Sequence, residues 1–176
     1  MGFTIQVLFH IENIYDVISL SLVPLYAVPG MIGLVKYSPA YILCSIAAPF
    51  VSFTNELIKK RVGKLSDNPI FYRPKGAVNC TLLNGRCDPN APAFPSGHVA
   101  TTTYIVYTLY RLTFRNAIDS YFIHLTTAII YVCLMGYSRY AKRCHNIPQV
   151  VAGVGYGLLC GTLFDFAVLG FRIKMF

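Results

Sequence analysis

Residues 147–170 read IPQVVAGVGYGLLCGTLFDFAVLG, a run with a single charged side chain, Asp165. A helix that crosses a bilayer needs about 20 predominantly apolar residues. This run meets that requirement and predicts a membrane-spanning helix. Moving toward the N-terminus, apolar runs recur at 121–138, 97–115, 39–58 and 14–35. Pro24 and Pro29 are expected to kink the first of these five spans, since proline lacks the N–H that an unbroken helix requires. Residues 3–12, FTIQVLFHIE, are too short to span and predict a short interfacial helix. Residues 59–94 form a polar loop rich in Pro, Gly, Asn and Asp. The expected fold class is an all-α integral membrane bundle. It has about five transmembrane helices and a short N-terminal interfacial helix, and it makes one domain without internal repeats.

Composition supports the same class. Hydrophobic residues make up 55% of the 176 residues and charged residues only 12%. Soluble domains carry about 25% charged residues, so too little polar surface remains to coat a water-soluble particle. There is no Trp, but 13 Tyr can supply an interfacial belt. The net charge of +8 would point to nucleic acid in a soluble protein. Beside membrane helices, a basic cluster instead meets lipid headgroups or a phosphorylated substrate. Nucleic acid is therefore excluded as a partner, and the bilayer and a membrane lipid substrate are expected. No Cys/His spacing reads as a zinc site, and no cofactor is expected.

The topology has a geometric consequence. The end of span two, the start of span three, the end of span four and the start of span five emerge on one side. Three polar motifs lie there: Arg73-Pro74, then Pro95-Ser96-Gly97-His98, then Ser138-Arg139 followed by His145. Phosphoryl transfer requires positive charge and hydrogen-bond donors around the equatorial oxygens. Arg73 and Arg139 offer planar guanidinium forks, and Ser96 a hydroxyl. Gly97 allows close backbone approach at a helix N-terminus, where free N–H groups favour anions.

These motifs, in this order, resemble the type 2 phosphatidic acid phosphatase (PAP2) superfamily over roughly residues 50–165. The resemblance implies a membrane lipid phosphatase working through a phosphohistidine. His145 would be the nucleophile and His98 the acid that protonates the leaving oxygen. Asn146 and Pro148 are a suitable N-cap and first-turn residue for span five.

The chain departs from the family pattern twice. The family lysine, seven residues before the Arg of Arg-Pro, is here Ser66, and Lys60 or Lys64 is expected to take its place. The family Asp, four residues after the nucleophilic His, is here Gln149. Its carbonyl can orient the imidazole, and it is counted among the catalytic residues. On this reading Gln149→Asp keeps or raises activity, because a carboxylate better stabilises an imidazolium. The Gln149-Val150 pair and Asn55-Glu56 resemble the dolichyl-diphosphatase branch. That branch implies a polyisoprenyl diphosphate as substrate and an internal membrane such as the endoplasmic reticulum. The alternatives are a phosphatidate or diacylglycerol diphosphate phosphatase, and a catalytically silent lipid-binding protein of the same fold.

Other residues carry blander readings. His10 and His124 are expected in packing or interfacial roles, and Tyr104, Tyr107 and Tyr110 in packing. Lys59, Lys60 and Arg61 read as interfacial anchors, Lys142 and Arg143 as headgroup contacts. Arg111 and Arg115 can snorkel, and Asp165 is expected to make a structural polar contact. Basic residues Lys36, Arg111, Arg115, Arg172 and Lys174 fall opposite the site, which places the site outside the cytoplasm. In an oxidising compartment the loop cysteines Cys80 and Cys87 are expected to pair. Cys44, Cys133 and Cys160 are expected to be inert thiols in apolar runs.

Overall fold

The computed structural model describes residues 12–66, 68–77, 79–83, 88, 90–114 and 121–174, without the side chains of 121 and 169–174. The expected interfacial helix lies outside the described residues, except for its last position. Helix α1 (Ile14–Leu20) opens with a capping box. Asn13 accepts from the backbone N–H of Tyr15 and Asp16, and the Asp16 carboxylate accepts from the N–H of Asn13. Helices α2 (Leu22–Leu25) and α3 (Val28–Val35) complete the first apolar run. What the sequence reads as one kinked span is thus three short helices, with a proline in each of the last two.

Helix α4 (Pro39–Leu65) runs beyond the expected end at 58. Lys and Arg are good helix formers and cations are favoured in a last helical turn, so Lys59-Lys60-Arg61 continues the helix. Its buried residues Cys44, Ala48, Val51, Asn55 and Lys59 recur three or four apart and form one inward stripe. Lys59 therefore faces the interior, while Lys60 and Lys64 are exposed. A 3-10 turn at Pro69–Phe71 and an irregular loop lead to α5 (Gly97–Phe114), followed by α6 (Tyr121–Ala141) and α7 (Ile147–Lys174). No β-strand occurs among the described residues.

Helix α5 is central and packs against α4, α6 and α7. Its contact with α7 depends on small residues. A Cβ on Gly153 would lie 2.8 Å from the Ser96 carbonyl oxygen, and one on Gly157 would collide with the carbonyl of Ala100. The interior is polar for a bundle: Thr101, Thr102, Thr103 and Thr108 are buried, while Phe50, Phe53, Ile130, Leu163 and Phe166 are exposed. That distribution suits hydrocarbon outside and polar side chains turned inward, away from it. The stretches 14–35, 39–65 and 147–168 are long and apolar enough to cross a membrane. Helices α5 and α6, also expected to span, pack among them, and α5 is the less apolar of the two. The threonines of α5 account for this, since they face inward.

At the end of the bundle away from the motifs, Arg111 donates to Asp165 through Nε at 3.0 Å and Nη2 at 2.7 Å. Asp165 makes the expected structural contact, and Arg111 is its partner rather than a free snorkelling cation. His124 stacks on Phe114 with centroids 3.8 Å apart, a packing role as expected. His10 lies outside the described residues.

One expectation is corrected. Cys80 is bridged to Cys144, not to Cys87, across a sequence separation of 64. The α6–α7 turn brings Cys144 to the loop, a proximity that linear spacing does not reveal. Cys87 lies outside the described residues. A loop of this length gives about 4 kcal/mol of stabilisation in the chain-entropy account.

Candidate active site

Four helix ends and the loop meet as the topology predicts. A cavity of about 340 Å³ is lined on its polar side by Glu56, Lys59, Arg73, Gly97, His98 and His145. Leu22, Tyr26 and Leu82 supply an apolar side. Three buried polar atoms here have no hydrogen-bond partner among the described residues: Arg73 Nε, Ser96 Oγ and His98 Nε2. Buried donors without partners are costly, and an anion with several acceptor oxygens would satisfy them together.

The lysine of this cavity is Lys59. It pairs with Glu56, and Gly97 makes room for it. A Cβ at Gly97 would stand 3.2 Å from Lys59 Nζ and 3.1 Å from Asn55 Nδ2. Asn55 in turn donates to the Pro95 carbonyl at 3.3 Å, fixing α4 against the start of α5. Lys60 and Lys64, expected to bind phosphate, do not line the cavity; the continued helix points them outward. The periodic stripe from Cys44 to Asn55 was the sequence signal for Lys59.

The nucleophile candidate is set by a capping box at the start of α7. Asn146 Oδ1 accepts from Gln149 N–H at 3.0 Å, and Gln149 Oε1 accepts from Asn146 N–H at 3.2 Å. The same Oε1 lies 2.9 Å from His145 Nδ1. Gln149 Nε2 donates to the carbonyls of Ile70 and Tyr72, both at 2.8 Å. Carbonyls only accept, so the amide can point only one way. Oε1 must then accept from His145, Nδ1 carries the proton, and Nε2 keeps its lone pair for attack.

This double use of the amide argues against the tolerance expected of Gln149→Asp. A carboxylate would place an acceptor where two buried carbonyls require donors, and it would release the segment just before Arg73. We expect Gln149→Asp to lower kcat/KM about 10- to 100-fold, in line with the loss of a residue supporting a site's first contacts. Gln149→Glu would keep chain length without the donors and should fall comparably. Wild-type turnover in either variant would show that the donor side is idle.

Arg139 is fully buried. It donates through Nη1 to Ser19 Oγ of α1 and through Nη2 to the Cys80 carbonyl at 2.6 Å. It does not line the cavity and acts on it from behind. Burial holds the His145 imidazole well below its ordinary pKa, and the charges of Arg139, Lys59 and Arg73 press in the same direction. The hydrogen bond to Gln149 opposes them. Lys142, expected at headgroups, is instead buried and paired with Asp16 at 2.8 Å. Asp16 and Ser19 are one helical turn apart on α1, matching Arg139 in the last turn of α6 and Lys142 just past its end. No sequence motif marked α1 for this role. Lys75 and Arg143 line a neighbouring hollow on another side of His145.

Fold and cavity define a helical membrane protein with a cavity lined by cationic side chains and two buried histidines. The chain belongs to the PAP2 superfamily, whose match covers residues 39–168. That is a phosphatase superfamily, so a hydrolase acting on lipid-like phosphates is the general class. No curated protein and no solved structure matches the chain.

Proposed function

We propose that this protein hydrolyses a membrane lipid phosphate or diphosphate through a phosphohistidine at His145, without a metal. The observation that carries the reading is the Gln149 Oε1 contact at 2.9 Å from His145 Nδ1, with the amide N–H groups committed elsewhere. Nε2 attacks phosphorus. Lys59, Arg73 and the N–H groups at the start of α5 take up the charge on the equatorial oxygens. Ser96 Oγ donates from below. His98 protonates the leaving oxygen, and water then releases phosphate from His145. Arg139 contributes charge through its fixed position rather than as a direct fork.

The favoured substrate is a polyisoprenyl diphosphate of the dolichyl type. The Ser138-Arg139, His145, Gln149-Val150 pattern resembles the dolichyl-diphosphatase branch. A phosphate monoester oxygen also leaves more readily than the alkoxide of diacylglycerol, so a neutral Gln suffices where an Asp is usual. Lys60, Lys64 and Lys75 do not line the cavity and lend no support to a second phosphate subsite. The test is kcat/KM for polyprenyl diphosphate, phosphatidate and diacylglycerol diphosphate in one detergent, with and without EDTA. A clear preference for phosphatidate would remove the dolichyl reading. Loss of turnover in EDTA, restored by a divalent cation, would remove the metal-independent one.

The site is proposed to face the lumen of an internal membrane such as the endoplasmic reticulum. A disulfide at its edge fits an oxidising compartment. In sealed microsomes, an impermeant amine reagent applied outside should modify Lys36, on the opposite side, and spare Lys60 and Lys64. The reverse pattern would place the site in the cytosol.

A further inference from the structure

We propose that the Cys80–Cys144 disulfide is a positioning element of the phosphate site, and that a dithiol disarms the site by reducing it while the helical bundle stays folded. The inference builds on the phosphohistidine reading of His145 for its catalytic consequence, but not for its binding consequence.

The bridge closes a ring of contacts. The Arg139 guanidinium donates to the Cys80 carbonyl at 2.6 Å. Cys80 is bonded through sulfur to Cys144. The backbone N–H of Cys144 returns to the Arg139 carbonyl at 3.0 Å, and that of His145 to the same oxygen at 3.2 Å. Arg73 Nη1 donates to the Cys144 carbonyl at 3.4 Å, so the loop arginine also references this bridge. The bond therefore ties the loop carbonyl that Arg139 grips to the turn that receives Arg73 and carries His145. Cys80 itself lines the cavity.

None of these contacts belongs to the bundle core, where Cys44, Ala48, Val99, Tyr104, Ile105 and Met135 pack together. Breaking the bridge thus removes the site's reference without removing the core. In the reaction, the dithiol supplies two electrons and two protons. The Cys80–Cys144 bond breaks, two thiols form, and the dithiol leaves as its own cyclic disulfide. Both sulfurs are buried, with Cys80 4% and Cys144 0% exposed. Two thiols cannot stay at bonding distance, so the loop and the α6–α7 turn must separate.

The experiment compares detergent-purified protein as isolated, after dithiothreitol, and as the Cys80→Ser/Cys144→Ser double variant, which reaches the unbridged state without reductant. Non-reduced peptide mapping establishes the linkage. Orthovanadate affinity by thermal shift reports the anion site, kcat/KM for phosphatidate reports turnover, and far-UV circular dichroism reports the bundle. We expect vanadate affinity to fall about tenfold and kcat/KM about 100-fold, the scale of a misplacement near 1 Å, with helicity unchanged. Reoxidation should restore the dithiothreitol-treated sample and not the double variant. Equal vanadate affinity with and without the bridge would overturn the proposal. So would loss of helicity on reduction, which would make the bridge a staple of the fold. Vanadate binding by an isolated protein that turns over no lipid would count against the phosphohistidine reading alone, and the binding comparison would still decide this one.

Discussion

The His145→Ala variant is expected to release no measurable phosphate from any lipid substrate, a loss of at least about 10⁴-fold, as for other covalent nucleophiles removed from intact sites. Alanine leaves Lys59, Arg73 and His98 in place, so the variant should still bind orthovanadate. Loss of turnover with retained anion binding separates a nucleophile from a structural residue. The same imidazole predicts a pH signature. Burial and three nearby cations hold its pKa well below the ordinary value of 6.5, so the neutral form persists into acid. The acid limb of kcat/KM, which reports the free enzyme, should therefore lie below pH 6.5. Stability has the corresponding sign. Between the folded and unfolded pKa values the unfolded chain binds the extra proton, so acidification through that window destabilises the native state. Near-normal turnover by His145→Ala would remove the phosphohistidine mechanism altogether.

The sequence showed much of this site because its decisive features are local. Apolar run lengths located the helices, and crossing parity brought Arg73, His98 and His145 to one end without any knowledge of packing. Asn146 as N-cap of α7 was also legible, since the cap and its N3 partner are three residues apart. Readings failed where an outcome depended on long-range placement. The Gln149 contact with His145 is local and legible, whereas its donor bonds to Ile70 and Tyr72, far away in sequence, are not. Cys80 was paired with the nearer Cys87 because only the fold brings Cys144 close. Lys142 was placed at headgroups because nothing in its own neighbourhood discloses Asp16 on α1. Lys60 and Lys64 lie outside the cavity for a different reason. Ending α4 at the first charged residues hid the helical phase that carries Lys59 inward.

Lys59→Met is expected to lower kcat/KM about 10²- to 10³-fold, the scale of removing one preorganised charge-stabilising donor. Lys60→Met and Lys64→Met should stay within about twofold, because exposed single charges contribute little. The contrast follows from phase alone. Lys59 continues the Cys44–Ala48–Val51–Asn55 stripe and is 7% exposed, whereas its neighbours on the same turn face outward. Two further readouts distinguish a functional lysine from a structural one. Removing one partner of a buried ion pair is costly where it leaves the other charge buried and uncompensated. Glu56, whose side chain is 56% exposed, can be solvated once its partner is gone. Thermal stability should therefore hold while turnover falls. Lys59 is also one of the charges depressing the His145 pKa, so its removal should move the acid limb of kcat/KM upward in pH. Lys60→Met should leave that limb unmoved. A Lys59→Met enzyme with wild-type kcat/KM and an unmoved acid limb would mean that this lysine holds Glu56 and Asn55 in place but meets no phosphate.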